Sequence, residues 1–422
     1  MSGPSTFPSR RGIWAILLFG CIAGISTYIV TPLEQPEQVM LASDVYRHAT
    51  QSWLAGEGLY NVHPADRPGY AFLYPPIAVL VFLPHALLWS DTAAYALQTI
   101  LNIGAALGTT YVIYSALERR GVHVDTRDFV ILGGFMLLSS YSAIQFLNGQ
   151  VNLWLALAIA IGFEAVDRNR SDLSGVAFAV AALLKVFPAI LGLWLLRNRK
   201  YRAVGAAIGT GIGGILVGAL LFGPELTSTY LFDVLLGRFE GSTYDEPPRP
   251  SDNVDGIHRH LAALWPTGGA YHTIVGLAIL GPLAAAAMLQ VDTRTQRDVA
   301  GLGILIVILL FLPLQPLYFP LIIFPLSMLL YSLRPGIPRY LLILGTLLTF
   351  VHLDVDSIVL GLAFIPTPAV VETALLDAAA VVFTYILPPT LGLWLLLITC
   401  VLVQFESRDT DTRTGQTCSS PP

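Results

Sequence analysis

Asp44 is a carboxylate just past the first hydrophobic stretch of the chain, on a short amphipathic segment over residues 41–53. Helical spacing puts Leu41, Val45, Ala49 and Trp53 on one stripe, and Asp44, Arg47 and His48 on the other face. The pattern suits a helix lying in a membrane interface with Trp53 at headgroup depth. A carboxylate with an arginine three residues on and a histidine four on either forms a solvated pair of little energetic weight, or serves a function that justifies its place. Three carboxamides, Asn148, Gln150 and Asn152, sit between two apolar runs, where they need interhelical partners or a ligand. Lys185 lies inside an apolar run; such a lysine faces a cavity, pairs with a carboxylate or phosphate, or snorkels to the surface. His258, Arg259 and His260 follow one another. Alternate histidines on a helix point apart, which argues against a shared metal, and Arg259 suits a phosphate. Tyr74, Pro75 and Pro76 read as the entry to a helix, because proline pre-sets a helix start and tyrosine favours the interface.

The elements that must position these residues are membrane helices. The chain is 55% hydrophobic and 12% charged, with a mean hydropathy of +0.67, far from soluble averages. Apolar runs cover residues 12–30, 72–89, 93–117, 129–147, 153–166, 173–196, 204–222, 271–290, 299–312, 317–333, 340–351, 359–364 and 378–405. A spanning helix needs about 20 apolar residues, so the shorter runs are broken or re-entrant. The fold expected is an all-α polytopic integral membrane protein with roughly 11–13 membrane segments.

The net charge is −5 and the only lysines are Lys185 and Lys200. No basic nucleic-acid surface is present, and Cys21, Cys400 and Cys418 show no metal or disulfide spacing. Arg10 and Arg11 precede the first run without a cleavage site, so this run is a first helix with a cytoplasmic N-terminus, residues 1–11. Residues 31–69, with Asp44, then form a first external loop. The pairs Arg119–Arg120 and Arg168–Arg170 and the cluster Arg197, Arg199, Lys200, Arg202 cannot all be cytoplasmic if every run spans once. Residues 173–196, with basic flanks and Lys185 and Pro188 in the middle, are the best re-entrant segment. Residues 223–269 form a long external loop, stiffened by Pro247, Pro248 and Pro250, and residues 406–422 form a polar, disordered tail.

These pieces resemble a known family. Asp44 with Tyr46, then Gly56, Gly58 and Tyr60, Tyr74-Pro75-Pro76, Gly149-Gln150-Val151-Asn152, Gly175, Lys185-Val186-Phe187-Pro188 and the basic cluster at 197–202 follow in that order. In order and spacing the chain resembles the polyprenyl-phosphate-hexose-dependent glycosyltransferases of family 87, of the GT-C superfamily. The resemblance implies a GT-C-like transmembrane domain over residues 12–405 with external interfacial helices and loops. It implies that Asp44 is the catalytic base. Asn253, Asp255 and Arg259 are similar to a loop pattern of the family, with Asp255 where serine is more usual. A proline followed by histidine is matched only loosely by Gln315-Pro316-Leu317-Tyr318, which has no histidine; Tyr318, His258 and His260 are the candidate substitutes.

The expected chemistry follows. An acceptor hydroxyl loses its proton to Asp44 as it attacks the anomeric carbon, and the departing lipid phosphate is met by cations and amide donors. Arg259, Lys185 and Gln150 are candidates for that contact, with Asn152, His258, His260, Tyr74 and Tyr318 as further substrate-binding residues. One displacement gives inversion, and no metal or other cofactor is called for. The expected partners are a polyprenyl-phosphate hexose, by resemblance mannose, and a lipid-linked or glycan acceptor, met at the external face of the cell membrane. Two other classes fit parts of the pattern. A transporter or flippase explains Lys185 and broken helices, and a lipid-linked oligosaccharide ligase or polymerase shares the donor.

Overall fold

The computed structural model describes residues 10–237, 248–250, 256–269, 271–312 and 316–417, with side chains as far as residue 406. Asn253, Asp255, Gln315 and the charged stretch 238–246 lie outside the described residues. Nineteen α-helices and no strand occur among the described residues. They divide between an N-terminal unit, Leu17–Gly241 with Phe319–Phe324, and a C-terminal unit, Met1–Ile16, Ser242–Tyr318 and Pro325–Pro422.

The first eleven helices are α1 (Arg10–Glu34), α2 (Leu41–Ala55), α3 (Val79–Ala86), α4 (Asp91–Arg119), α5 (Thr126–Leu138), α6 (Ser140–Asn148), α7 (Asn152–Asp167), α8 (Ser171–Leu184), α9 (Leu191–Arg197), α10 (Tyr201–Phe222) and α11 (Pro224–Thr229). Then follow α12 (Ile257–Leu264), α13 (Tyr271–Ala287), α14 (Arg294–Phe311), α15 (Ile323–Ser332), α16 (Ile337–Thr349), α17 (Val355–Ala363), α18 (Ala369–Tyr385) and α19 (Pro388–Thr417). Among the described residues, four helices are long and apolar enough to cross a membrane: α1, α4, α10 and Pro388–Glu406 of α19. The pair α5 and α6, bent by 48°, makes a fifth, and six shorter apolar helices accompany them. The protein is a multi-pass membrane protein. Helix α19 runs on to Thr417, and the loop expected over 223–269 contains α11 and a π-helical segment Tyr230–Leu236, with Pro224 seeding the first.

Within the N-terminal unit, side chains at the helix ends define two poles. Helix α4, 29 residues long, begins where Asp91 takes Arg47 of α2. It ends where Arg119 meets Glu164 of α7 at 2.5 Å and Arg120 meets Asp167 at 2.7 Å. The same ionic pole holds both ends of the segment 171–197: Arg202 forks onto Asp172 at 2.5–2.6 Å, and Lys200 Nζ lies 3.4 Å from Asn169 Oδ1. The chain therefore goes out along α8 and returns through Phe187–Ile190 and α9. The turning point is Lys185, whose φ of −143° and ψ of 124° end α8 in extended backbone. The arginine clusters that single spans could not reconcile share one pole because this segment doubles back.

Small residues allow the close packing. A Cβ on Gly175 of α8 would stand 2.0 Å from the Ala203 carbonyl oxygen of α10, and one on Gly162 of α7 would meet the Phe178 ring at 2.3 Å. Phe163 of α7, Phe178 of α8 and Trp194 of α9 meet edge to face, with Phe163 and Trp194 centroids 4.6 Å apart. At the bend between α5 and α6 the freed Leu137 carbonyl accepts from Tyr28 Oη at 2.8 Å, which satisfies a backbone group that lipid cannot. Gly24 packs against the same bend, where a Cβ would fall 1.9 Å from the Leu138 carbonyl oxygen.

In the C-terminal unit α16 and α19 cross at Gly345 and Gly392, each leaving room for the other's carbonyl. Buried Gln404 ties α19 to the turn after α13 through the Ala287 carbonyl and the Gln290 N–H, both at 2.8 Å. Buried side-chain amides of this kind link membrane helices where lipid cannot satisfy them.

Candidate active site

Asp44 stands in the first turn of α2, where the partial positive charge of the helix N-terminus favours an acid. The stripe Leu41, Val45 and Ala49 is buried as its spacing predicts, and Trp53 packs on Phe222 of α10 with centroids 4.9 Å apart. Asp44, Arg47 and His48 are each half-buried. The expected pair within the helix does not form, because Arg47 turns to Asp91 and to the Leu88 carbonyl at 3.0 Å. The partner of Asp44 is Arg67, from the loop after α2, with NH2 3.2 Å from Oδ2. Oδ1 is buried and receives no hydrogen bond from the described residues. Burial pushes the carboxyl up to about 6, against the opposing effect of Arg67 and with smaller upward contributions from Asp91 and Asp66.

Gln150 organises a second cluster. It follows Gly149, which ends α6 in the left-handed region at φ 70° and packs on Ser43 so closely that a Cβ would lie 2.9 Å from the serine Cβ. Gln150 Oε1 accepts from Tyr46 Oη at 3.1 Å and Lys185 Nζ at 3.4 Å. Its backbone carbonyl accepts from Asn102 Nδ2 at 3.0 Å and Gln98 Nε2 at 3.3 Å. Behind them buried His85 contacts Gln98 at 3.0 Å. Tyr46 and Tyr74 share a 2.7 Å hydroxyl contact, and Tyr60 Oη donates to the Tyr74 carbonyl at 2.8 Å. Asn152 bonds inward, to Gln145 Oε1 at 2.9 Å, and Asn148 caps the Gln38 carbonyl.

The structure thus brings Tyr74, Gln150 and Lys185 together through Tyr46. At about 100° per residue Tyr46 leaves α2 roughly 200° from Asp44, so carboxylate and amide cluster use different faces of that helix. In the C-terminal unit Arg259 is fully buried and donates to the carbonyls of Phe383 (Nε, 3.1 Å) and Arg249 (NH2, 2.9 Å). His260 Nδ1 contacts the Tyr385 carbonyl, and its Nε2 accepts from Trp394 at 3.0 Å. His258 lies against Phe311. The two histidines meet different neighbours, as their spacing requires. Tyr318 is half-exposed in the 3₁₀ segment Pro316–Ile322.

Sequence reasoning missed Arg67, His85, Gln98 and Asn102. Arg67 shares the stretch 31–69 with only one other arginine or lysine, Arg47, and Gln98 and Asn102 stand four apart inside an apolar helix; both signals were there to read.

The family model of glycosyltransferase family 87 matches residues 72–316. The chain belongs to this family. Within the family-87 match lie Tyr74, Gln150, Asn152, Lys185, His258, Arg259 and His260, while Asp44 and Arg67 precede it and Tyr318 follows it. Over 273 residues the chain is 29% identical to the polyprenol-phosphate-mannose-dependent alpha-(1-2)-phosphatidylinositol pentamannoside mannosyltransferase of Mycolicibacterium smegmatis, covering 63% of this chain and 62% of that protein. Over 228 residues it is 25% identical to the corresponding phosphatidylinositol mannoside mannosyltransferase of Mycobacterium tuberculosis, covering 50% and 52%. The chain matches less than two thirds of the length of either relative.

Proposed function

We propose that this family-87 protein is a membrane mannosyltransferase that moves a hexose from a polyprenyl-phosphate sugar to a lipid-linked or glycan acceptor with inversion, Asp44 acting as general base. The observation that carries the reading is the state of Asp44: a half-buried carboxylate, one oxygen held by Arg67 and the other buried without a donor among the described residues. The acceptor O–H gives its proton to Oδ1 as its oxygen bonds to the anomeric carbon. The bond from that carbon to the phosphate oxygen breaks, and the electron pair leaves with the lipid phosphate. A proton affinity near the working pH suits a general base.

Lys185, held at Gln150, is the proposed cation for the departing phosphate, with Tyr46 and Tyr74 fixing Gln150. The names of the two relatives support mannose and a phosphatidylinositol-linked glycan.

The ionic pole carries Arg119, Arg120, Arg168, Arg170, Lys200 and Arg202, and the positive-inside rule sets it at the cytoplasmic face. Asp44, at the other end of α4 and α7, is then external. An impermeant maleimide should label N61C and spare R170C in intact cells; the reverse pattern refutes this orientation.

The decisive experiment is Asp44→Asn, assayed for transfer from a polyprenyl-phosphate mannose in liposomes, with folding checked. Near-native turnover in the folded variant sinks the reading. The wild type makes a product heavier than the acceptor, whereas a flippase moves lipid with its mass unchanged.

A further inference from the structure

Arg67 sits in a loop with no helical register to hold it, yet it is more constrained than most exposed-loop arginines. One NH2 contact reaches Asp44 Oδ2 at 3.2 Å and another the Val39 carbonyl at 2.9 Å, while NH1 donates to the Glu37 carbonyl. Glu37 and Val39 belong to the turn that leads into α2, and only 11% of the Arg67 side chain is exposed. The guanidinium is therefore fixed to the same backbone that starts the helix bearing Asp44. That backbone is itself pinned: Met40, left-handed at φ 65°, donates its N–H to the Leu147 carbonyl at 2.7 Å. A non-glycine residue holds such a conformation only when its surroundings over-determine it.

Resting on the reading of Asp44 as base, we propose that Arg67 is its positioning residue: by holding Oδ2 it fixes the carboxylate plane and leaves Oδ1 as the oxygen that receives the acceptor proton. The division of labour is in the contacts, since Oδ2 has the guanidinium and Oδ1 has no donor among the described residues. The charged groups around the carboxylate are Arg67 and Asp66 from the loop and Asp91 from the start of α4, and Asp91 is itself engaged by Arg47. Arg67 is the one of these that favours the charged carboxylate; Asp66 and Asp91 oppose it. Removing Arg67 thus does two things at once. It frees the carboxylate to rotate, and it raises the proton affinity of Asp44 further.

The test is the pH dependence of kcat on the full-length protein in liposomes, for Arg67→Gln and Arg67→Lys beside wild type. R67Q should lower kcat by about tenfold or more, leave the donor KM near its wild-type value, and move the acid limb upward by about one pH unit. R67K keeps the charge, so its limb should stay and most of the turnover should return. A merely structural arginine would lower the yield of folded enzyme without moving the limb. An unmoved limb in folded R67Q, or R67K no better than R67Q, overturns the proposal. If R67Q does not fold, R67K decides: a limb displaced upward although the charge is kept overturns the proposal, and a limb in place with most of the turnover retained supports it. The base reading fails separately, through an active D44N; D44N inactive with an unmoved R67Q limb removes only the part given to Arg67.

Discussion

The two poles of the N-terminal unit carry charge in opposite ways. At the ionic pole, positive groups find carboxylates across helix ends: Arg119 with Glu164, Arg120 with Asp167, Arg202 with Asp172. These contacts tie together the ends of α4, α7, α8 and α10, and the Arg202 pair is largely in solvent, where such contacts contribute little. At the other pole the two groups given to the chemistry, Asp44 and Lys185, are half-buried. Asp44 has one oxygen without a donor among the described residues, and Lys185 sits at a break in α8 with its Nζ 3.4 Å from a glutamine side-chain oxygen. Charge matched by charge holds helices together. A carboxylate kept half-buried with a free oxygen costs stability and is retained where it does chemistry.

The largest expected effect follows from removing a carboxylate at each pole. D44N should lower kcat/KM by about 10²–10⁴-fold per folded molecule, the range of a general base, and because it also leaves Arg67, 11% exposed, without its carboxylate, Tm is measured beside turnover. D167N leaves Arg120, a group only 10% exposed, without its carboxylate; it should lower Tm and the yield of folded protein, while turnover per folded molecule stays unchanged. Equal losses of turnover in the two variants would break the comparison.

The two lysines offer the next contrast, because each pole has one. K185M should reduce donor use by about 10–10²-fold, and K200M, whose Nζ lies 3.4 Å from an exposed asparagine oxygen, should leave transfer kinetics as they are. The pH profile sharpens the same point. The carboxyl of Asp44 is raised to about 6 and must be ionised to accept a proton. Turnover should therefore be near its plateau above pH 7 and fall about tenfold per unit well below the limb.

Much of this contrast was legible in the sequence. Asp44, Gln150 and Lys185 were visible because each is a polar group where hydrocarbon makes it expensive, and the doubling back of 171–197 was visible because basic residues flank it on both sides. Arg67 was not read as the partner of Asp44, because a loop has no period and the nearer Arg47 competed for the role; only the fold shows Arg47 drawn away to Asp91. The chain His85, Gln98, Asn102 and Gln150 was equally hidden, since it joins α3, α4 and the turn after α6, and one sequence carries no pairing between them. Arg259 was singled out for its type, a good phosphate ligand, but its burial among carbonyls depends on residue 383, 124 positions away. Residue chemistry was readable where a rule of the bilayer made it anomalous, and unreadable where it depended on long-range contact.

The smallest effect is expected where the ionic pole is most exposed. Arg202 and Asp172 have side-chain exposures of 79% and 55%. Water and salt compete freely for both groups. If the sole task of this pair is to help close the α8–α9 excursion, Gly175 against Ala203 already does that by steric fit. Arg202→Gln should then leave kcat/KM and the acid limb unchanged, with a Tm that moves less than that of D167N and less again in high salt. A fall in turnover in R202Q comparable to K185M would mean that the ionic pole reaches the chemistry after all, and that the separation of holding from reacting between the two ends of the unit is wrong.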